Sequence, residues 1–231
     1  LIPPSIILIL YGVVAQVPVT GLFLGGIAAG LITALGYVLV IMIRVKLNPA
    51  LAPDVAIRTP ASERIAALKD TWPVILLMIG IFGGLFSGVF TATEAGAVGA
   101  LMAVVIALAK GTLTRARFSA AIVDTVLTTS TLIIIGIGAT LLTRFLALSG
   151  SADYLSEQVL ALGADPVLIM AGVVIVYLLL GLFLEPVGAM LLTLPIVLPI
   201  VDGTGFGLLW FGVILTKLLE IGMITPPVGM N

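Results

Sequence analysis

Two clusters of backbone-perturbing residues carry the chemistry of a chain otherwise short of reactive side chains. One is Glu220-Ile-Gly-Met-Ile-Thr-Pro-Pro-Val-Gly-Met-Asn231; the other is Leu1-Ile-Pro-Pro-Ser-Ile. Proline lacks an N–H and clashes with the preceding turn, so each Pro-Pro pair must break or unwind its helix. Gly222 admits unusual dihedrals, Thr225 adds a hydroxyl oxygen, and Pro226 and Pro227 leave carbonyls without intrahelical donors. Several neutral oxygens converging in an apolar setting suit a hard monovalent cation such as Na⁺, as at unwound membrane helices. A kinked structural helix would carry the same pair. The second break at Ile2-Pro3-Pro4-Ser5 favours the ion reading, because two breaks of one type suggest an inverted repeat around a midplane site.

The charged side chains are few and separately placed. Glu185 interrupts an apolar run over residues 166–201, in Leu184-Glu-Pro-Val-Gly188. A carboxylate within a membrane is expensive and by default functional; the competing reading is an exposed turn between two short spans. Lys217 and Glu220 stand three apart on one helix face and can pair, which favours a structural ion pair over a substrate contact. Glu94, in Thr-Ala-Thr-Glu, fits a helix N-terminus. Arg144 fits a snorkelling interfacial residue. The hydroxyls of residues 128–131 are expected to bond back to the preceding turn.

The elements that must position these groups follow from composition. Hydrophobic residues make up 61% of the chain and charged residues 9%, against about a quarter charged in soluble domains; mean hydropathy is +1.35. Apolar stretches of the ~20 residues needed to cross a bilayer recur, so the chain is read as an all-α, polytopic membrane protein with discontinuous helices and a re-entrant hairpin. Cysteine and histidine are absent, which removes disulfides, thiolate or imidazole metal sites and the catalysis that needs them.

Along the sequence, residues 1–15 read as half of a first broken helix and 21–43 as a span. Residues 44–71 form a polar loop with an amphipathic helix starting near Thr59-Pro-Ala-Ser62. Residues 73–109 make two spans, and 118–148 an amphipathic helix running into a span. Residues 166–201 are a hairpin with arms 166–184 and 187–201 and its tip at 185–188. Residues 207–231 hold the second broken helix, and 149–165 is a polar, acidic segment between elements. The basic residues of 44–70 and 110–117 place those loops in the cytoplasm and the acidic segment outside. With no initiator methionine and a start inside a helix break, the chain reads as a fragment lacking both ends.

At these residues the chain resembles the large membrane subunit of TRAP (tripartite ATP-independent periplasmic) transporters. Leu1-Ile-Pro-Pro-Ser-Ile is similar to that family's first broken helix, and Gly88-Val-Phe-Thr-Ala-Thr-Glu-Ala-Gly-Ala-Val-Gly99 to a stretch typical of it. Leu184-Glu-Pro-Val-Gly188 with Leu194-Pro-Ile-Val-Leu-Pro199 resembles its second hairpin. The most specific match is Leu219-Glu-Ile-Gly-Met-Ile-Thr-Pro-Pro-Val-Gly229. The resemblance implies an inverted-repeat, elevator-type, sodium-coupled permease of the bacterial inner membrane, not an enzyme. Its substrate would be an organic anion such as a dicarboxylate, sugar acid or sialic acid, delivered by a periplasmic binding protein. A small four-helix membrane subunit would sit beside it in the lipid bilayer; no nucleic acid, cofactor or transition metal is implied. By position, one Na⁺ site would use Gly181, Gly222, Thr225 and Val228, and another would retain Ile2 and Pro4, its hairpin expected upstream of Leu1. Ser5, Glu185, Pro186, Gly188, Pro226, Pro227 and Gly229 are candidates to line the substrate cavity. A di- or tricarboxylate permease working without a binding protein is the alternative. An intramembrane enzyme is remote, because its acids would be clustered and these are scattered.

Overall fold

The computed structural model of the chain describes residue 3, residues 5–51 and residues 60–226. Among these, ten α-helices and one short 3₁₀ turn form, with no strand. The chain divides into two compact units, residues 1–32 with 125–231 and residues 33–124, and the boundaries fall inside two long helices.

The first unit begins with α1 (Ile6–Val14), whose N-terminus is capped by the Ser5 hydroxyl accepting from Leu8 N–H. α1 stops where Gln16 takes a left-handed φ of 56°, and the chain turns into α2 (Val19–Leu47). The residues of α6 (Arg115–Ser149) from Thr125 onward belong here too. α6 is one unbroken helix of 35 residues, about 52 Å long. Gly150, at φ 67°, ends it, and α7 (Ser151–Ala161) follows at once. The acidic segment expected as a polar connection is therefore helical over most of its length. Alternation of Ala152 and Ser156 with its acids gives it one face to bury, a 3.6-residue period too short to stand out in a mostly polar stretch.

α8 (Pro166–Gly181) starts at the Asp165 cap, with Pro166 in the first turn where its missing N–H costs nothing. α9 (Pro186–Gly203) starts in the same way behind Glu185. The interruption thus covers residues 182–185, earlier than the expected tip at 185–188, because the capping carboxylate pulls Pro186 and Gly188 into the first turn of α9. The second arm is also longer than the sequence suggested, at 18 residues against 16 for the first. That makes α8 about 24 Å and α9 about 27 Å. α10 (Leu208–Ile224) completes the unit.

An aromatic cluster holds α1, α8, α9 and α10 together. The Phe211 ring lies 6.2 Å from both the Tyr11 and the Tyr177 ring, edge-on to the first at 63° and tilted against the second at 57°. All three are fully buried. The tyrosines cannot be buried without satisfying their hydroxyls. Tyr11 donates to the Leu208 carbonyl at 2.6 Å, and the Tyr177 hydroxyl shares a 2.5 Å hydrogen bond with Thr193 across the hairpin. Glycines let the helices close: an added Cβ on Gly212 would run into the Tyr11 ring, and on Gly25 would meet Val213 at 2.9 Å.

The second unit holds the rest of α2, α3 (Ala61–Asp70), α4 (Trp72–Phe86) and α5 (Ala92–Ala109). Thr59, expected near the start of α3, lies outside the described residues. Thr91 and Glu94 form a full capping box: Thr91 N–H donates to the Glu94 carboxylate at 2.7 Å and Glu94 N–H to the Thr91 hydroxyl at 3.3 Å. Glu94 is thus a helix-start residue, and α5 packs on α4 through Gly80 against Met102 and Gly99 against Ile81.

Candidate functional site

Gly222, singled out beside the Pro-Pro pair, and Gly181, implied by the family resemblance, meet where the end of α8 meets the end of α10. Gly181 and Gly222 touch backbone to backbone: a Cβ on Gly222 would lie 2.6 Å from the Gly181 Cα and 2.7 Å from its carbonyl carbon and oxygen. Any side chain at position 222 would have to push the backbones of α8 and α10 apart. The family resemblance implied one site for these two glycines, 41 positions apart in sequence, and the structure shows them in contact.

Around this crossing, proline and turn geometry strip carbonyls of their donors. Helix α10 ends at Ile224, and Thr225 is extended (φ −98°, ψ 129°). Pro226 and Pro227 have no N–H to offer the Gly222 and Met223 carbonyls four residues back. Gly222 is partly compensated, since Thr225 N–H donates to its carbonyl at 3.1 Å, and the Thr225 hydroxyl donates to the Ile221 carbonyl at 2.5 Å. The hydroxyl proton is thereby fixed and its lone pairs face away from that bond. On the facing side, Leu182, Phe183 and Leu184 N–H groups bond back to Leu179 and Leu180. Among the described residues, no backbone N–H donates to the carbonyls of 181–184, and Pro186 removes the donor that Leu182 would otherwise have.

Glu185 has a definite local task. Its Oε1 accepts from Val187 N–H at 3.0 Å and its Oε2 from Gly188 N–H at 2.7 Å. Both otherwise orphaned donors of the first turn are satisfied by a charge of the sign the helix N-terminus favours. Occupied in this way, the start of α9 has little left to offer an anion. Pro186 is buried beneath it, Gly188 half-buried. Ser5 caps α1, and among the described residues it makes no hydrogen bond to the hairpin or to α10. Ile2, Pro4, Pro227, Val228 and Gly229 lie outside the described residues.

Lys217 and Glu220 pair at 3.1 Å on α10, as their spacing suggested. Hydroxyls along the apolar helices bond back to the turn before, Thr131 to Leu127 at 3.0 Å and Thr216 to Gly212 at 2.9 Å. The Tyr177–Thr193 bond and the Tyr11 contact were not foreseen. A tyrosine and a threonine inside uninterrupted apolar runs were the available signal, since each must find a partner when buried.

Four helices long and apolar enough to cross a bilayer (α2, α5, α6 and α9, by length and composition), with no strand among the described residues, define a polytopic all-α membrane protein. The whole chain, residues 1–231, matches the family described as Tripartite ATP-independent periplasmic transporter, DctM component, and the chain belongs to that family. It is 35% identical to the C4-dicarboxylate TRAP transporter large permease protein DctM of Pseudomonas aeruginosa, over the full chain and 54% of that relative. It is 31% identical to the sialic acid TRAP transporter large permease protein SiaM of Vibrio cholerae, covering 53% of it, and 30% identical to the isethionate TRAP transporter permease protein DctMQ of Oleidesulfovibrio alaskensis, covering 36%. The chain spans about half the length of the first two. These relatives are transport permeases, not enzymes.

Proposed function

We propose that this chain is part of a sodium-coupled secondary transporter importing an organic anion of the dicarboxylate, sugar acid or sialic acid class. A periplasmic binding protein delivers the substrate, and a small four-helix membrane subunit accompanies the permease. The observation that carries the reading is the Gly181–Gly222 crossing. There the Gly181 carbonyl lies against Gly222, whose own carbonyl is four residues before Pro226, and the Thr225 hydroxyl bonds back to Ile221 at the end of α10. Such a set supplies neutral oxygens without a carboxylate, which suits a monovalent cation in an apolar site. The cation charge then offsets part of the cost of bringing an anionic substrate to the hairpin tip. An inverted repeat of hairpin and broken helix, moving as an elevator, completes the proposal, with Ile2 and Pro4 in a second cation site and Val228 in this one.

The test is Thr225→Ala in the full-length transporter, reconstituted in proteoliposomes and assayed across a sodium titration. Removing a single oxygen from a charged ligand costs on the order of 1.5–3 kcal/mol, so the sodium half-saturation should rise roughly ten- to a hundred-fold. Unchanged half-saturation with unchanged maximal uptake would reduce Thr225 to a residue that merely terminates α10.

A further inference from the structure

A cavity of about 440 Å³ lies between α1, α6 and α9. Its wall on α6 is graded. Leu132 and Gly136 stand at one end, Thr140 and Thr143 in the middle, and Arg144 at the other. The distance from Leu132 to Arg144 along the helix is about 18 Å. Leu10 of α1 and Leu191 of α9 close the opposite wall. Both threonine hydroxyls donate to their own helix, at 2.8 Å to Gly136 and Ala139, so the one strong donor to the cavity is the guanidinium.

The position of Arg144 relative to the bilayer follows from the sequence. Residues 125–143 carry no charge, and this window is bounded by Asp124 and Arg144. Its 19 residues rise about 28 Å, close to the ~30 Å hydrocarbon thickness. Arg144 therefore lies at the level of the headgroups. Among the described residues no carboxylate stands within ion-pair distance of it. We propose that this cavity binds a phospholipid, its acyl chain lying along Leu132, Gly136 and Leu10 and its phosphate held by Arg144. A compact dicarboxylate would need polar groups at both ends of the cavity; the lining provides one cationic end and one apolar end, the shape of an amphiphile. A lipid there occupies the gap between α6 and the α1–α9 pair, so its presence ties the spacing of those helices to membrane composition.

The experiment uses the full-length protein purified in detergent and offered phosphatidylglycerol and phosphatidylcholine, with retained lipid counted by native mass spectrometry. Arg144→Gln should lower phosphatidylglycerol retention about fivefold, as expected for one cation at an anionic headgroup, and Arg144→Lys should keep most of it. Gly136→Leu tests the apolar end independently. A Cβ at Gly136 meets nothing within 4 Å, so the new side chain enters the cavity without strain and should expel the acyl chain with Arg144 intact. Wild-type retention in both Arg144→Gln and Gly136→Leu would overturn the proposal. Displacement of the lipid by succinate or inorganic phosphate would assign the cavity to a soluble anion and overturn it equally.

Discussion

Gly222 and Gly138 are the same residue in comparably apolar helices, and they meet opposite surroundings. At Gly222 a single methyl group would strike the backbone of α8; at Gly138 it would meet nothing within 4 Å. The helices around them differ in the same way. Half of the apolar window of α9 is buried, against 6% of that of α6. In water such an exposed apolar helix would be untenable, but in lipid there is no hydrophobic gain from covering it. Stability must instead come from close packing, and this chain concentrates it where α8, α9 and α10 cross. The region that packs tightest is also the region whose carbonyls lack donors, so the crossing holds in place groups that a helix would otherwise satisfy.

The largest expected effect breaks the tight side of this contrast. Gly222→Ala should cost about 3 kcal/mol or more, above the middle of the range for overpacked cores, because the clash is with backbone and cannot be relieved by a rotamer change. Thermal unfolding of the detergent-purified full-length protein, followed by helical circular dichroism, reads this out. An unshifted midpoint would mean that α8 and α10 do not cross at these glycines. Gly212→Ala should cost less, about 1–2 kcal/mol, since the Tyr11 ring and Leu22 can give way.

A middle-sized effect separates the two hydroxyls that join the hairpin arms. Thr193→Val leaves the buried Tyr177 hydroxyl without its partner and should cost about 1–3 kcal/mol. Tyr177→Phe should cost about 1 kcal/mol, because Thr193 keeps its bond to the Ala189 carbonyl at 2.8 Å. The double variant should fall below the sum of the two. Strict additivity in the same unfolding assay would show that the 2.5 Å hydrogen bond contributes nothing as a pair.

The sequence disclosed the local devices better than the contacts. Pro-Pro after Thr225, Glu-Pro at the hairpin and Thr-Ala-Thr-Glu each contain their own explanation, since a proline or a capping carboxylate acts within one turn. Gly222 stood out beside the Pro-Pro pair and Gly181 entered through family resemblance; nothing local says that they touch, because a crossing is made by two distant stretches at once. α7 stayed hidden since its buried face is only two or three small residues wide. The graded cavity of Arg144 was equally out of reach: the arginine alone reads as a snorkelling side chain, and only the placement of α1 and α9 against α6 gives it a cavity to serve.

The smallest effect tests the open side of the contrast. Gly138→Ala removes the backbone freedom of a glycine from the interior of α6 and adds a methyl group to unoccupied space. If α6 faces only lipid at this position, the variant should be neutral or more stable by up to ~1 kcal/mol, the helix-propensity difference between the two residues. Small residues in membrane helices otherwise mark sites of close helix–helix approach, and Gly136, Gly138 and Ala139 together would make such a site. The two readings predict opposite signs. A midpoint raised or unchanged in the assembled full-length protein fits a lipid-facing α6, with packing confined to the hairpin and α10. A midpoint lowered to the extent seen for Gly212→Ala would place another helix against Gly138, and the contrast with Gly222 would then be one of partner, not of packing.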